Sequence, residues 1–372
     1  MVAPHRIVII GGYGNTGSRV ARLLAARADV QLVLVGRHLD RARALAAELA
    51  GIAAHPVLAV GADVRDEGQR RMAFDGATLV IAASSTTDHA GAIARSALAA
   101  GADTMDTNLS VPAKLAALQA LAPEGERAGR CVITDGGFHP GVPGVLVRHA
   151  ATLLPGLTDA HVGGAFSIDW RALRFSDATA SEFVDELTTM DPETMVDGGW
   201  QHSISSTRTF DFGDAAGNRR CVPWALQEIR DLPVLVPTLR SVGFYIAGFG
   251  PVIDYLVMPA CLVALRILPS QRPRVGKAFL WALRKWTPRG SWAVLQLEAA
   301  AGTPYRQVVI RVSHPDPYAL TAIPVVACVE QLLDGPRRPG VWTQASFVEP
   351  ALFLRRLESL GVDVRVSVGA AW

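Results

Sequence analysis

Gly12, Gly14 and Gly17 stand at G-x-G-x-x-G spacing in the run Gly11-Gly12-Tyr13-Gly14-Asn15-Thr16-Gly17. Glycines so spaced have distinct jobs: the first permits a tight turn, the second lets backbone approach a pyrophosphate, and the third allows close helix–strand contact. A helix starting at the turn offers free N–H groups and the positive end of its dipole to a phosphate. Gly12, Tyr13, Gly14, Asn15, Thr16 and Gly17 are therefore expected to cradle a dinucleotide. About 20 residues beyond such glycines an NAD site carries Asp or Glu for the ribose hydroxyl. Here Arg37 occupies that place, with Arg41 one helical turn on. Guanidinium forks suit a 2′-phosphate, so the expected cofactor is NADP (NADPH) rather than NAD. Asp63-Val64 would border the adenine, and Ala83-Ser84 would let the backbone approach the cofactor.

Reduction by such a cofactor needs a proton donor near the hydride acceptor. His139 is the first candidate, in a glycine-rich loop, with Asp135 and Asp106 at similar strand ends. Asp106 equally fits a cap for a helix beginning near Val111. His202, Arg171 and Tyr245 are further candidates for substrate contact. Gly11, Gly14 and Gly17 also fit the G-x-x-G-x-x-G turn of extended short-chain dehydrogenases, which need Tyr-x-x-x-Lys. The only lysines are Lys114, Lys277 and Lys285, and none lies four residues after a tyrosine, so that mechanism is excluded.

The elements positioning these residues follow from hydrophobic periodicity. Arg6–Gly11, Val30–Gly36, Pro56–Val60, Ala77–Ala83, Ala102–Asp106 and Cys131–Thr134 read as strands alternating with helical segments. Strands alternating with helices make a parallel sheet with helices on both faces. The expected fold is α/β: a Rossmann domain, a doubly wound parallel sheet, over 1–143, then an α+β substrate domain with an antiparallel sheet over 144–318. The helices of 319–372 would pack back on the first domain. Within the second, strands are expected at Thr158–Ser167 and Gln201–Phe212, a helix at Thr179–Thr189, and a hairpin joining Ala293–Glu298 to Arg306–Ser313.

The chain of 372 residues balances 36 Lys+Arg against 34 Asp+Glu, which leaves no basic footprint for nucleic acid. Four widely spaced cysteines give neither a CxxC pair nor zinc-ligand spacing, so no metal is expected. The start MVAPHRIVIIGG lacks signal-peptide character, so the expected location is cytoplasmic. Mean hydropathy is high, at +0.24. The excess gathers at 241–292, an apolar run broken by Asp254 and followed by a basic, tryptophan-rich stretch. That composition suits peripheral contact with the inner membrane surface, a lid over an apolar substrate, or plain helical packing.

The stretches IVIIGGYGNTGSRVARLLA and LVGRHLDRARALAAELAG resemble the NADP-binding domain of saccharopine dehydrogenase-like oxidoreductases. Ala99–Thr107, Thr134–Gly144, Asp197–Trp200, Pro223–Arg230, Tyr318–Gly335 and Pro339–Trp342 are similar to further segments of that family. The resemblance implies hydride transfer at a C–N, C=O or C=C bond without naming the substrate. With the insertion, it points to a hydrophobic, acyl- or lipid-like or carrier-linked small molecule, and leaves a homodimer open. The competing reading is a non-catalytic NADP-binding sensor or scaffold at a membrane surface.

Overall fold

Ile7, Val8, Ile9 and Ile10 are each at most 2% exposed, as a strand covered on both faces requires. They lie in β1 (His5–Ile10), which α1 (Asn15–Ala25) follows directly. The alternation continues through β2 (Val30–Gly36), α2 (Leu39–Leu49), β3 (Leu58–Gly61), α3 (Glu67–Phe74), β4 (Leu79–Ala82), α4 (Ala90–Ala99), β5 (Asp103–Asp106), α5 (Pro112–Gln119), α6 (Ala122–Ala128) and β6 (Cys131–Thr134). All strand pairs are parallel, in the order β6-β5-β4-β1-β2-β3. The order reverses between β1 and β4, where the carboxyl ends of an open sheet leave a ligand crevice. Val8, Val33, Val35, Phe74, Val80 and Ile93 share one buried cluster on a face of this sheet. A seventh strand comes from far along the chain: Gly340–Thr343 pairs parallel with β6, from Gly340↔Cys131 to Thr343↔Thr134.

The computed structural model describes residues 3–171, 191–302 and 306–370. They divide into two units, 1–145 with 318–360 and 146–317 with 361–372. In the first, Arg27 at the end of α1 bonds Asp334 of the helix Pro317–Asp334 at 3.0 Å, holding that helix to the nucleotide-type sheet. Residues 361–372, expected from sequence to lie with the first unit, belong to the second, because Asp363–Ala370 is a strand and not helix.

The second unit is a mixed sheet. Its strands are β7 (Leu157–Ser167), β8 (Glu193–Val196), β9 (Gly199–His202), β10 (Arg208–Asp211), β11 (Asn218–Pro223), β12 (Ser241–Ala247), β13 (Trp292–Ala301) and β14 (Arg306–His314). The order is β10-β11-β12-β7-β13-β14, with Asp363–Ala370 beyond β14 and the β8–β9 hairpin attached to β12. Pairing is antiparallel except between β7 and β12. The β13–β14 hairpin stands where the sequence placed one. The strand expected over Gln201–Phe212 is two, β9 and β10, interrupted by a turn in which Ser206 N donates to Ser203 O. Ser241–Ala247 is no part of an inserted segment: it is buried β12, seated between β11 and β7. The helix expected at Thr179–Thr189 lies outside the described residues.

Candidate active site

The glycine turn folds against three strands at once. Gly11 holds φ +72°, and a Cβ there would lie 2.7 Å from Ser84 Cβ and 2.9 Å from Ala83 O. Gly11, rather than Gly12, therefore makes the tight turn, closed by Gly14 N donating to Gly11 O at 2.8 Å. Gly14 caps α1, whose first turn carries no acid to repel an anion. A Cβ on Gly17 would stand 2.2 Å from Gly11 O, so only glycine lets the helix approach this closely.

Tyr13 links the turn to the end of β2. Its hydroxyl accepts from His38 N at 2.9 Å, and the Arg41 guanidinium lies 5.1 Å over its ring. Arg37 and Arg41 are exposed there. A third cation, Arg65, was not singled out in the sequence. It bonds Asp63 at 2.5 Å, and that bond, with a weaker contribution from Arg37, holds the Asp63 carboxyl down to about 2. The Asp63 carboxylate is thus matched by Arg65, which leaves Arg37 and Arg41 as exposed cations after β2. A closely packed glycine turn beside free backbone donors and a cationic corner fits a pyrophosphate and a further phosphate. Asn15, Thr16, Val64, Ala83 and Ser84 lie on the same carboxyl edge, after β1, β3 and β4.

At the ends of β5 and β6 the chain buries an ionic cluster. Lys114, fully buried on α5, donates to Asp106 Oδ1 at 2.7 Å and to the Asn108 carbonyl, and stands 3.5 Å from Asp135 Oδ1. Thr134 donates to Asp106 Oδ2 at 3.0 Å, and Ser110 to Asp135 Oδ1 at 2.5 Å. Among the described residues Asp135 Oδ2 has no hydrogen-bond partner, and burial pushes the carboxyl up to about 6 against the pull of Lys114. Asp135 also holds φ 57°, a conformation costly outside glycine and concentrated at functional sites. Asp106 does not cap the helix after Val111, because its oxygens are engaged by Lys114, Thr134 and Asn108 N. The loop after Asp135 is clamped by Gln344: Gly137 N donates to its Oε1 at 3.1 Å, and its Nε2 donates to Gly137 O at 3.2 Å. His139 lies in this loop, edge-on to Phe138 at 4.6 Å, and burial pulls its imidazole down to about 4. It is neutral at pH 7, which makes it a poor proton donor there.

Residues 7–133 match the family model described as the saccharopine dehydrogenase NADP binding domain. The first unit carries that NADP-binding domain. The apo saccharopine dehydrogenase (L-Glu forming) of Saccharomyces cerevisiae shares the fold, with TM-score 0.72 at 15% identity over 98% of this chain and 100% of that one. The C. glutamicum DAP dehydrogenase in complex with DAP aligns at TM-score 0.47 and 14% identity, over 96% and 99% of the two chains. An engineered D-amino acid dehydrogenase bound to NADP+ aligns at TM-score 0.47 and 14% identity, again over 96% and 99%. No curated protein matches the chain.

Outside the saccharopine dehydrogenase-type domain, the remaining candidates scatter. Tyr245 is buried in the second sheet, its hydroxyl 3.4 Å from His161 Nδ1 and its ring against Phe210. Arg171 is exposed beside Asp169. His202 on β9 lies beside Glu193 of β8 and Asp191 just before it, a trio whose ligand atoms lie within 4.8 Å of one another. Arg230 bonds both carboxylates, each at 2.6 Å, and so balances one of their two charges.

His161 makes a pH prediction. Burial lowers its pKa to about 4, from 6.5 in the unfolded chain. The group is buried neutral, so its contribution is complete above pH 6.5 and is lost as pH falls towards 4. A shift of that size corresponds to about 3 kcal/mol. His161→Gln is expected to lose about 2–3 kcal/mol less stability between pH 7 and pH 4.5 than the parent chain, read from urea unfolding. Parallel losses in the two proteins would show that His161 titrates freely in the fold.

Proposed function

We propose that the protein is an NADP(H)-dependent oxidoreductase that transfers hydride to a C=N, C=O or C=C bond of a small molecule. The carrying observation is the corner made by Arg37, Arg41 and Arg65 on a chain whose residues 7–133 match an NADP-binding domain model. Gly12, Gly14 and Gly17 would hold the pyrophosphate through backbone N–H groups and the α1 terminus. Arg37 and Arg41 would hold the 2′-phosphate, with Tyr13 orienting Arg41. Asp63 and Val64 would flank the adenine, and Ala83 and Ser84 would border the reactive end. The bound cofactor supplies the hydride. Asp135, whose carboxyl burial lifts to about 6, would exchange a proton near working pH, linked to Ser110, which donates to its Oδ1. Lys114 and Asp106 position Asp135, and neutral His139 orients the substrate.

An apolar or acyl-type substrate is the finer reading, supported by the apolar surface of residues 252–286. The test follows NADPH binding by fluorescence and NADPH consumption on a panel of imines, ketones and enones. Arg37→Ala is expected to weaken NADPH about 10–100-fold, the worth of a charge-assisted hydrogen bond, and to leave NADH within a few-fold. Unchanged preference for NADPH would remove Arg37 from the site. Tight NADPH binding without turnover on any substrate would favour a non-catalytic sensor.

A further inference from the structure

Residues 252–286 present an exposed apolar surface. A helical turn at Ile253–Val257 runs into the helix Met258–Ile267, and after a short turn the helix Arg272–Trp286 follows. Inward, Ile253, Phe279, Leu280 and Leu283 close a core with Trp170. Outward, nine of the nineteen exposed large hydrophobic side chains among the described residues lie in this segment. They include Tyr255 at 72%, Ile267 at 69% and Trp281 at 56% exposure. Leu256, Val263 and Ile267 recur at helical spacing, so they form one stripe.

Along the sequence, the charge of this segment after Asp254 has one sign. Between residues 255 and 292 stand seven Arg or Lys and no Asp or Glu, which leaves 29 basic against 34 acidic residues elsewhere. Asp254, the acid that precedes the stripe in the sequence, accepts from Phe249 N and Gly250 N at 2.9 and 3.0 Å. Lys285 sits between the Trp281 and Trp286 rings, 5.0 and 5.2 Å from their centroids. Long basic side chains over apolar residues and tryptophans place charge at a headgroup level and rings just beneath it. Among the described residues no helix is long and apolar enough to cross a membrane.

We propose that residues 252–286 dock the protein on an anionic lipid surface, lying in its headgroup region. The charge complementarity selects this occupant. A second copy meeting this face symmetrically would set the same cations against one another. The inference does not rest on the cofactor reading.

Full-length protein is sedimented with vesicles of phosphatidylcholine alone or with 30% phosphatidylglycerol, at low and high salt. Binding to the anionic vesicles is expected, at least tenfold weaker on neutral vesicles or at high salt. Leu256→Ser/Val263→Ser/Ile267→Ser and Arg266→Glu/Arg274→Glu should each bind at least tenfold less, with NADPH fluorescence and thermal midpoint unchanged. Failure to bind anionic vesicles at low salt overturns the proposal, as does binding indifferent to both sets. So does a serine variant that turns a dimer into a monomer by light scattering without losing vesicle binding, since the face would then be a contact between copies.

Discussion

Replacing Lys114 with methionine is expected to lower the unfolding free energy by about 3–5 kcal/mol, the usual cost of leaving a buried charge unpaired. The side chain is fully buried and faces two carboxylates, Asp106 at 2.7 Å and Asp135 at 3.5 Å. Without the cation both must be protonated or drag water inward. A charge-free cluster, Lys114→Met with Asp106→Asn and Asp135→Asn, should recover most of the loss, because a buried ion pair replaced as a whole is close to neutral. Urea unfolding of the variants reads both effects. A loss below about 1 kcal/mol for the single variant would mean the carboxylates are not held charged at neutral pH. The proposed chemistry adds a separate readout: the charge-free variant should fold and bind NADPH, yet lose turnover.

Gly17→Ala should abolish tight NADPH binding while the protein remains folded. The new Cβ would be placed 2.2 Å from Gly11 O and 2.9 Å from Gly11 C, both backbone atoms of the turn that Gly17 packs on. No rotamer relieves that overlap, so the start of α1 must move away from the turn, and the phosphate donors move with it. A loss of at least 100-fold in NADPH affinity, about 3 kcal/mol, is the expected size. Gly51→Ala is the control, since a Cβ there meets nothing within 4 Å. If Gly17→Ala bound NADPH normally, the turn would not be the phosphate cradle.

The first sheet was legible because a strand buried on both faces leaves a continuous apolar run, as Ile7–Ile10 and Leu32–Val35 do. The glycine turn was equally legible, though its division of labour was not. Gly11 takes the positive φ, which spacing alone could not separate from Gly12. Lys114 escaped notice for a physical reason. Its partners close the carboxyl ends of two neighbouring strands, so the contact exists only once β5 and β6 pair. A usable signal was present: two carboxylates at adjacent strand ends demand a cation, and Lys114 follows Asp106 by eight residues in a chain with three lysines. Gln344 and the strand Gly340–Thr343 were hidden by the length of the connection, and four residues are too few to show a period. The region 241–292 misled in part, because a central strand and an exposed helical face are equally apolar in composition. Only the pairing of β12 with β7 and β11 separates them.

The chain's late return has a consequence for how the protein can be made and cut. Cys131 Sγ meets the carbonyl of Arg338 across 207 residues, and the next strand, Gly340–Thr343, finishes the first sheet. The strand Asp363–Ala370 finishes the second beyond β14. Both sheets therefore wait for residues after 339, and contacts between such distant residues form slowly. A deletion from residue 336 onward would open a raw edge on each sheet, inviting association through unpaired strands. Isolating the nucleotide-type unit calls for a splice of 1–145 to 318–360, not a truncation.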